Sequence, residues 1–364
     1  MKKALFIALS LALAFAAVPL AALPGVTRQL EDASGEYVFY RDATFEREAY
    51  VGFVFYDDST YGARFYAPAV ANKKAPRAAK DIQLYVTVDA TQPHLELTGE
   101  RIASAVTAED TDLVNYLHDL LYELTARRQK AGEVSSTVSV TQDFEQFGGD
   151  VALDFNALVP IFNLQTIRSI DGTVLFQVVT TGILSASDAD GSTDSSFTDF
   201  TGFPMRLQDK AHTFKPSKKT TAIPFSYATD NGATQSVTLD AQWTQFADNM
   251  FFLEKNAALL TFDTVPATDN GALDVPQLTR ALIRTTRSSY TDWTKLSITK
   301  DGNRTCIRFP VYDKNSNTLM QSCKLIDELA DGGVAFLILT VYDSAYTAKN
   351  RAYFNAVLDS YTLR

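Results

Sequence analysis

Two cysteines and three histidines are all this chain of 364 residues offers for thiol or imidazole chemistry. Cys306 and Cys323 fall on two expected strands that flank a short loop centred on Lys314 and Asn315. Cross-strand placement brings such residues within bridging range, and an oxidising compartment permits the bond. The sequence therefore predicts a structural disulfide, worth on the order of 3 kcal/mol for a loop this short. His94, His118 and His212 share no metal-ligand spacing with one another or with the cysteines. Asp188, Asp190 and Asp194 with Gly191 resemble a calcium loop. An EF-type loop wants glycine at its sixth position and a bidentate acid at its twelfth. Counting from Asp188, those positions hold Thr193 and Asp199, so the stretch reads as a solvated acidic linker. No metal and no cofactor is expected.

Nucleophile motifs fare no better. Ser297-Ile298-Thr299-Lys300 fits Ser-x-x-Lys, but on an expected strand rather than at a helix start, and without its two companion motifs. The chain lacks Gly-x-Ser-x-Gly, His-Glu-x-x-His and a phosphate-binding glycine loop. The acid pairs Glu46/Glu48 and Asp57/Asp58 sit on strands and turns with no sign of a cleft. No catalytic residue is assigned. One cluster remains, the tyrosines Tyr37, Tyr40, Tyr50, Tyr56, Tyr61 and Tyr66. A tyrosine presents an apolar body with a polar tip, which suits sugars, peptides or lipid headgroups. Packing of a helix against a sheet is the competing role for these residues. The expected function is thus non-catalytic binding of an unidentified ligand or envelope protein, through an aromatic sheet face. A carboxylate-based envelope hydrolase is the alternative.

The elements that must position these residues begin after a leader. Lys2 and Lys3 precede an apolar run from Ala4 to Ala17, broken only by Ser10, with cleavage expected after Ala16 or Ala22. A retained anchor is the alternative, although Pro19 and Pro24 interrupt a longer span. The leader is of bacterial type and lacks a lipid-accepting cysteine, so the chain is expected in the periplasm or outside the cell, not as a lipoprotein. The best later apolar run, Val334 to Val341, is too short for a membrane helix. A formal net charge of −10 argues against nucleic acid, which needs clustered basic surface.

Along the chain, aromatic residues between Gly35 and Ala67 suit a sheet. Leu113, Val114, Leu117, Leu120, Leu121 and Leu124 form one helical stripe, closed by Gly132. A second helix is expected from Asp274, with Pro276 in its first turn, and a last one from Ser344. Asp171-Gly172-Thr173-Val174-Leu175-Phe176-Gln177-Val178-Val179-Thr180 returns as Asp331-Gly332-Gly333-Val334-Ala335-Phe336-Leu337-Ile338-Leu339-Thr340, with five of ten positions identical. The helices and several strand residues recur at similar offsets. The expected class is therefore α+β, with two tandem domains that are candidates for a duplication. Each would be a mostly antiparallel sheet packed by one long helix, with a C-terminal helix after them. The boundaries read as leader 1–22, first domain 28–183, acidic linker 184–200, second domain 201–342 and helix 343–364. A transmembrane β-barrel is the rival architecture, opposed by the helices that interrupt the strand series.

Overall fold

The computed structural model describes residues 32, 34–57, 60–71, 75–89, 96–102, 110–127, 137–183, 212–217, 221–229, 232–267, 271–283, 289–313 and 318–364. The expected leader, the expected acidic linker with Asp188, Asp190 and Asp194, His94, and the loop tip at Lys314 and Asn315 lie outside the described residues. Two compact units emerge. One lies within Arg28–Pro204 and takes in Val275–Thr294; the other lies within Met205–Asp274 and Lys295–Arg364.

The first unit is an antiparallel meander. Its strands are β1 (Glu36–Asp42), β2 (Ala49–Asp57), β3 (Thr60–Ala67), β4 (Lys80–Asp89) and β5 (Glu96–Ile102), then β6 (Val138–Phe144), β7 (Gly149–Phe155), β8 (Leu164–Ser169) and β9 (Val174–Ile183). They hydrogen-bond in the order β5-β4-β3-β2-β1-β9-β8-β7-β6, so the first and last strands of the segment meet at the centre. Between β5 and β6 runs helix α1 (Thr111–Ala126), with Val114, Leu117, Leu120, Leu121 and Leu124 buried as their spacing demands. On one face of the sheet aromatic rings lie over glycines of the neighbouring strand. Phe39 is opposite Gly52 and Tyr37 is opposite Gly182. A Cβ at Gly52 would fall inside the Phe39 ring, and one at Gly182 would strike the Tyr37 phenol. Absence of a side chain lets each ring lie flat along the backbone.

Helix α2 (Val275–Ile283) and strand β15 (Ser289–Asp292) belong to this unit too, although they lie far along the chain. Thr291 and Asp292 pair with Thr181 and Thr180 of β9. Arg280 of α2 donates to both oxygens of Glu36, at 3.0 and 2.9 Å, and to Asp32 Oδ1 at 2.5 Å. Asp32 also accepts the backbone N–H of Ile161 at 2.8 Å. Every side chain of this trio is at most 4% exposed, so the charges are held by each other.

The second unit holds β12 (Trp243–Ala247), β13 (Met250–Leu253), β14 (Ala258–Val265), β16 (Ser297–Asp301), β17 (Arg304–Asp313), β18 (Thr318–Glu328) and β19 (Val334–Tyr342). The pairing order is β12-β13-β14-β19-β18-β17-β16. A small sheet, β10 (Ile223–Ala228), β11 (Thr234–Leu239) and β20 (Thr362–Leu363), and helix α3 (Arg351–Asp359) supply the rest. Val237, Leu239, Phe251, Leu260, Phe262, Leu325, Leu337, Leu339, Phe354, Val357 and Tyr361 share one core. The echoed decapeptides prove to be the same turn and strand. Gly172 and Gly332 have φ of 90° and 86°. In each turn the aspartate one residue before the glycine accepts a backbone N–H, from Thr173 at 3.0 Å and from Gly333 at 2.9 Å.

The class differs from the expected α+β arrangement. Antiparallel strands dominate, and no long helix packs each sheet. The helices α1, α2 and α3 span sixteen, nine and nine residues. Apolar periodicity located the helical stretches, but the strand segments between them carry far more of the core. The last helix also starts later than Ser344. Asn350 bonds the carbonyls of Phe214 and Ala345 at 2.9 and 2.8 Å, holding residues 343–350 in turns before α3 begins.

Two stability outcomes follow from this packing. Gly52→Ala lowers the free energy of unfolding by about 1–3 kcal/mol in urea titrations, because the buried Phe39 ring must leave its site. Arg280→Met costs about 3–5 kcal/mol by stranding two buried carboxylates, and adding Asp32→Asn with Glu36→Gln recovers part of that loss.

Candidate functional site

The cysteines lie within the second unit. Cys306 on β17 pairs in register with Leu325 on β18, and Arg308 pairs with Cys323. The two cysteines are therefore diagonal neighbours on one sheet face, with Sγ atoms 3.9 Å apart and both present as thiols. On the other flank of β17, Thr299 of β16 is opposite Cys306. Cys306 is half-buried and Cys323 is buried.

This face looks toward α3. A cavity of about 70 Å³ opens there, lined among others by Lys295, Arg308, Gln321, Cys323, Leu339 and Tyr346. Its walls come from regular structure. Arg308, Cys323 and Leu339 lie in one cross-strand row of β17, β18 and β19. Tyr346 is fixed by Phe354 of α3, with ring centres 5.8 Å apart, and by the Arg351 guanidinium 5.7 Å from its ring. Arg308 Nη1 donates to Asn355 Oδ1 of α3 at 3.2 Å, which holds the guanidinium at the cleft. The result is an apolar pocket with two cationic side chains, exposed Lys295 and half-buried Arg308. Further along the same face, Arg304 makes a two-pronged pair with Asp327 at 2.7 and 2.9 Å and stacks over Tyr361.

Electrostatics separates the two thiols. The hydrogen bond from Cys323 and then the adjacent Arg308 and Thr299 lower the Cys306 thiol below the usual cysteine range, against the opposing effect of burial. The same shared hydrogen bond, together with burial, pushes the Cys323 thiol up. Of the two sulfurs, the one beside Arg308 and Thr299 is the better placed to carry a negative charge. On the opposite face of β18, buried Lys324 lies with its Nζ 5.2 Å from the Phe309 ring centre. Desolvation lowers its ammonium to about 7.

The six tyrosines separate by position in the first unit. Tyr37, Tyr40, Tyr56 and Tyr61 are buried. Tyr40 stacks on Phe176 and donates to the Leu164 carbonyl at 3.0 Å. Tyr56 stacks on Tyr85, and Tyr61 packs against Phe55. Tyr50 and Tyr66, directly opposite each other on β2 and β3, are half-buried. Tyr50 donates to Glu48, and the Arg64 guanidinium lies 5.3 Å from the Tyr66 ring centre. Ser297 and Lys300 sit on strand β16, and Lys300 pairs with Glu328 at 3.1 Å. His118 lies on α1, and His212 stacks on Tyr342 with ring centres 3.8 Å apart. No three metal-ligating side chains come together among the described residues.

Sequence reading missed Arg308, although Cys306-Ile307-Arg308 at i and i+2 puts both on one strand face. It also missed Lys295, Lys324 and Arg280, whose roles come from distant segments.

Comparison with known proteins adds family matches over each half. Residues 35–196 match a family model described as a domain of unknown function, DUF7954. Residues 227–362 match another, DUF7955, also a domain of unknown function. No curated protein matches the chain in sequence. Among solved structures, MucB in complex with MucA(peri) is 9% identical, with 93% of this chain and 94% of that one covered at a TM-score of 0.21. The apo immunity protein TplEi of T6SS from Pseudomonas aeruginosa is 10% identical, covering 83% and 94% at a TM-score of 0.23. Superpositions at such scores define no common fold. Among the described residues, no helix is long and apolar enough to cross a membrane.

Buried Lys324 gives a pH signature. The unfolded chain binds the lysine proton up to the ordinary value of 10.5, the folded chain only up to about 7. Between those values the unfolded state holds more protons, so stability rises with pH. The urea midpoint should climb between about pH 7 and about pH 9, and the part of that climb due to this lysine should vanish in Lys324→Met.

Proposed function

We propose that this chain is an exported, non-catalytic protein of the cell envelope that binds a protein segment presenting a carboxylate. The observation that carries the reading is the cleft beside α3, where Arg308 and Lys295 border apolar walls formed by Leu339, Val341 and Leu358. An arginine offers a planar fork of donors matched to carboxylate geometry, and the apolar walls strengthen that attraction by excluding water. A volume of about 70 Å³ suits a side-chain end or a chain terminus rather than a whole small-molecule ligand. The leader residues Lys2 and Lys3 with the run Ala4 to Ala17 support export to the periplasm or beyond. The proposed organisation keeps two domains along the chain, 28–183 and 201–342, joined by the acidic segment 184–200, with the second a candidate repeat of the first that lends its residues 275–294 to the first compact unit.

The test is fluorescence anisotropy with a labelled glutamate- and leucine-rich peptide and its lysine-for-glutamate counterpart. The acidic peptide should bind, weaken as salt rises, and lose about five- to thirtyfold affinity in Arg308→Ala, a loss of about 1–2 kcal/mol. It should also be recovered uncut. Equal binding of both peptides, or affinity unchanged in Arg308→Ala, would remove the cleft from consideration. Cleavage of the peptide would make the protein a hydrolase instead.

A further inference from the structure

Cys306 and Cys323 carry an inference that stands apart from the binding reading. Two thiols 3.9 Å apart on adjacent strands are near enough to react with one another. Their register is diagonal rather than directly opposed, since Arg308 is the residue opposite Cys323. Diagonal neighbours on paired strands have Cα atoms roughly 7–8 Å apart. Disulfides usually span about 4.4–6.8 Å, and one that must draw its strands together is more readily reduced. The two residues also differ in exposure, with Cys306 half-buried and Cys323 buried. Arg308 sits two residues from Cys306 on the same face, and its guanidinium favours a thiolate there.

We propose that Cys306 and Cys323 form a reversible thiol–disulfide exchange site, in which Cys306 attacks and Cys323 resolves, using a small-molecule or protein disulfide as oxidant. In the first step the Cys306 thiolate attacks one sulfur of the incoming disulfide. A mixed disulfide forms at Cys306, the incoming S–S bond breaks, and one thiolate leaves and takes up a proton. In the second step Cys323 gives up its proton and attacks Cys306 Sγ. The Cys306–Cys323 bond forms, the mixed disulfide breaks, and the second thiol departs. The protein dithiol is oxidised by two electrons, and the incoming disulfide is reduced to two thiols. The reverse sequence restores the dithiol.

The experiment equilibrates the full chain in mixtures of reduced and oxidised glutathione, then quenches with acid, alkylates, and reads each cysteine by peptide mass spectrometry. Wild-type protein should pass between dithiol and intramolecular disulfide as the ratio changes. Cys323→Ala should accumulate glutathione on Cys306, whereas Cys306→Ala should leave Cys323 unmodified over the same time. Arg308→Leu should slow alkylation of Cys306 below neutral pH by roughly three- to tenfold, since the lost thiolate fraction is partly offset by greater intrinsic nucleophilicity. Dithiols that stay unmodified in excess oxidised glutathione would overturn the proposal. So would a folded disulfide that resists dithiothreitol, which would make the bond a fixed staple. Glutathione found first on Cys323 in wild-type protein would reverse the assigned order and equally overturn it.

Discussion

Arg280 and its two carboxylates hold the first unit in a form that its neighbouring strands alone would not dictate. The guanidinium is 244 residues from Glu36, yet it is hydrogen-bonded to both of that residue's oxygens inside the unit. An arginine in such surroundings cannot shed its proton, so its burial requires that Asp32 and Glu36 remain in place. Asp32 in turn bonds the backbone of Ile161, next to the start of β8. One charge therefore links helix α2, the entry to β1 and the loop before β8. Desolvating three charged groups is costly, and only their close geometry offsets it. That constraint explains why a segment late in the chain, Val275–Thr294, is part of the first unit.

The second unit uses charge differently. Two of its arginines lie on a half-buried sheet face, where Arg304 is satisfied by Asp327 and Arg308 by Asn355 and the thiol pair. Arg304 has a carboxylate of its own, whereas Arg308 borders a cavity and a sulfur. Both proposals draw on this one cation, the first for an anionic group in the cleft and the second for a thiolate beside it. Aromatic residues from Tyr346 to Tyr361 pack α3 against this face.

Much of the local structure was legible in the chain. The stripe from Val114 to Leu124 is a helix because its spacing puts five apolar residues on one side. The turns at Gly172 and Gly332 are set by an aspartate that caps the backbone and a glycine that tolerates positive φ. The balance between helix and sheet was not legible. Alternating aromatic segments read equally well as a sheet covered by a helix or as strands buried on both faces, because period two records the alternation and not what lies on either side. Tyr37 and Tyr40 show the difficulty: both look like surface aromatics by type, and both are interior.

What the sequence determined by itself was local: the helical stripe, the paired turns, and the placement of Cys306 and Cys323 on neighbouring strands. Each depends on residues within a few positions, where spacing and backbone preference act directly. Tertiary structure alone decided that Arg280 belongs with Glu36, that Lys324 is buried over Phe309, and that Arg308 stands between a cleft and a thiol. Those pairings join segments separated by many residues, and the energy of a charge depends on what surrounds it in space. A sequence names the charges, but only the fold assigns their partners.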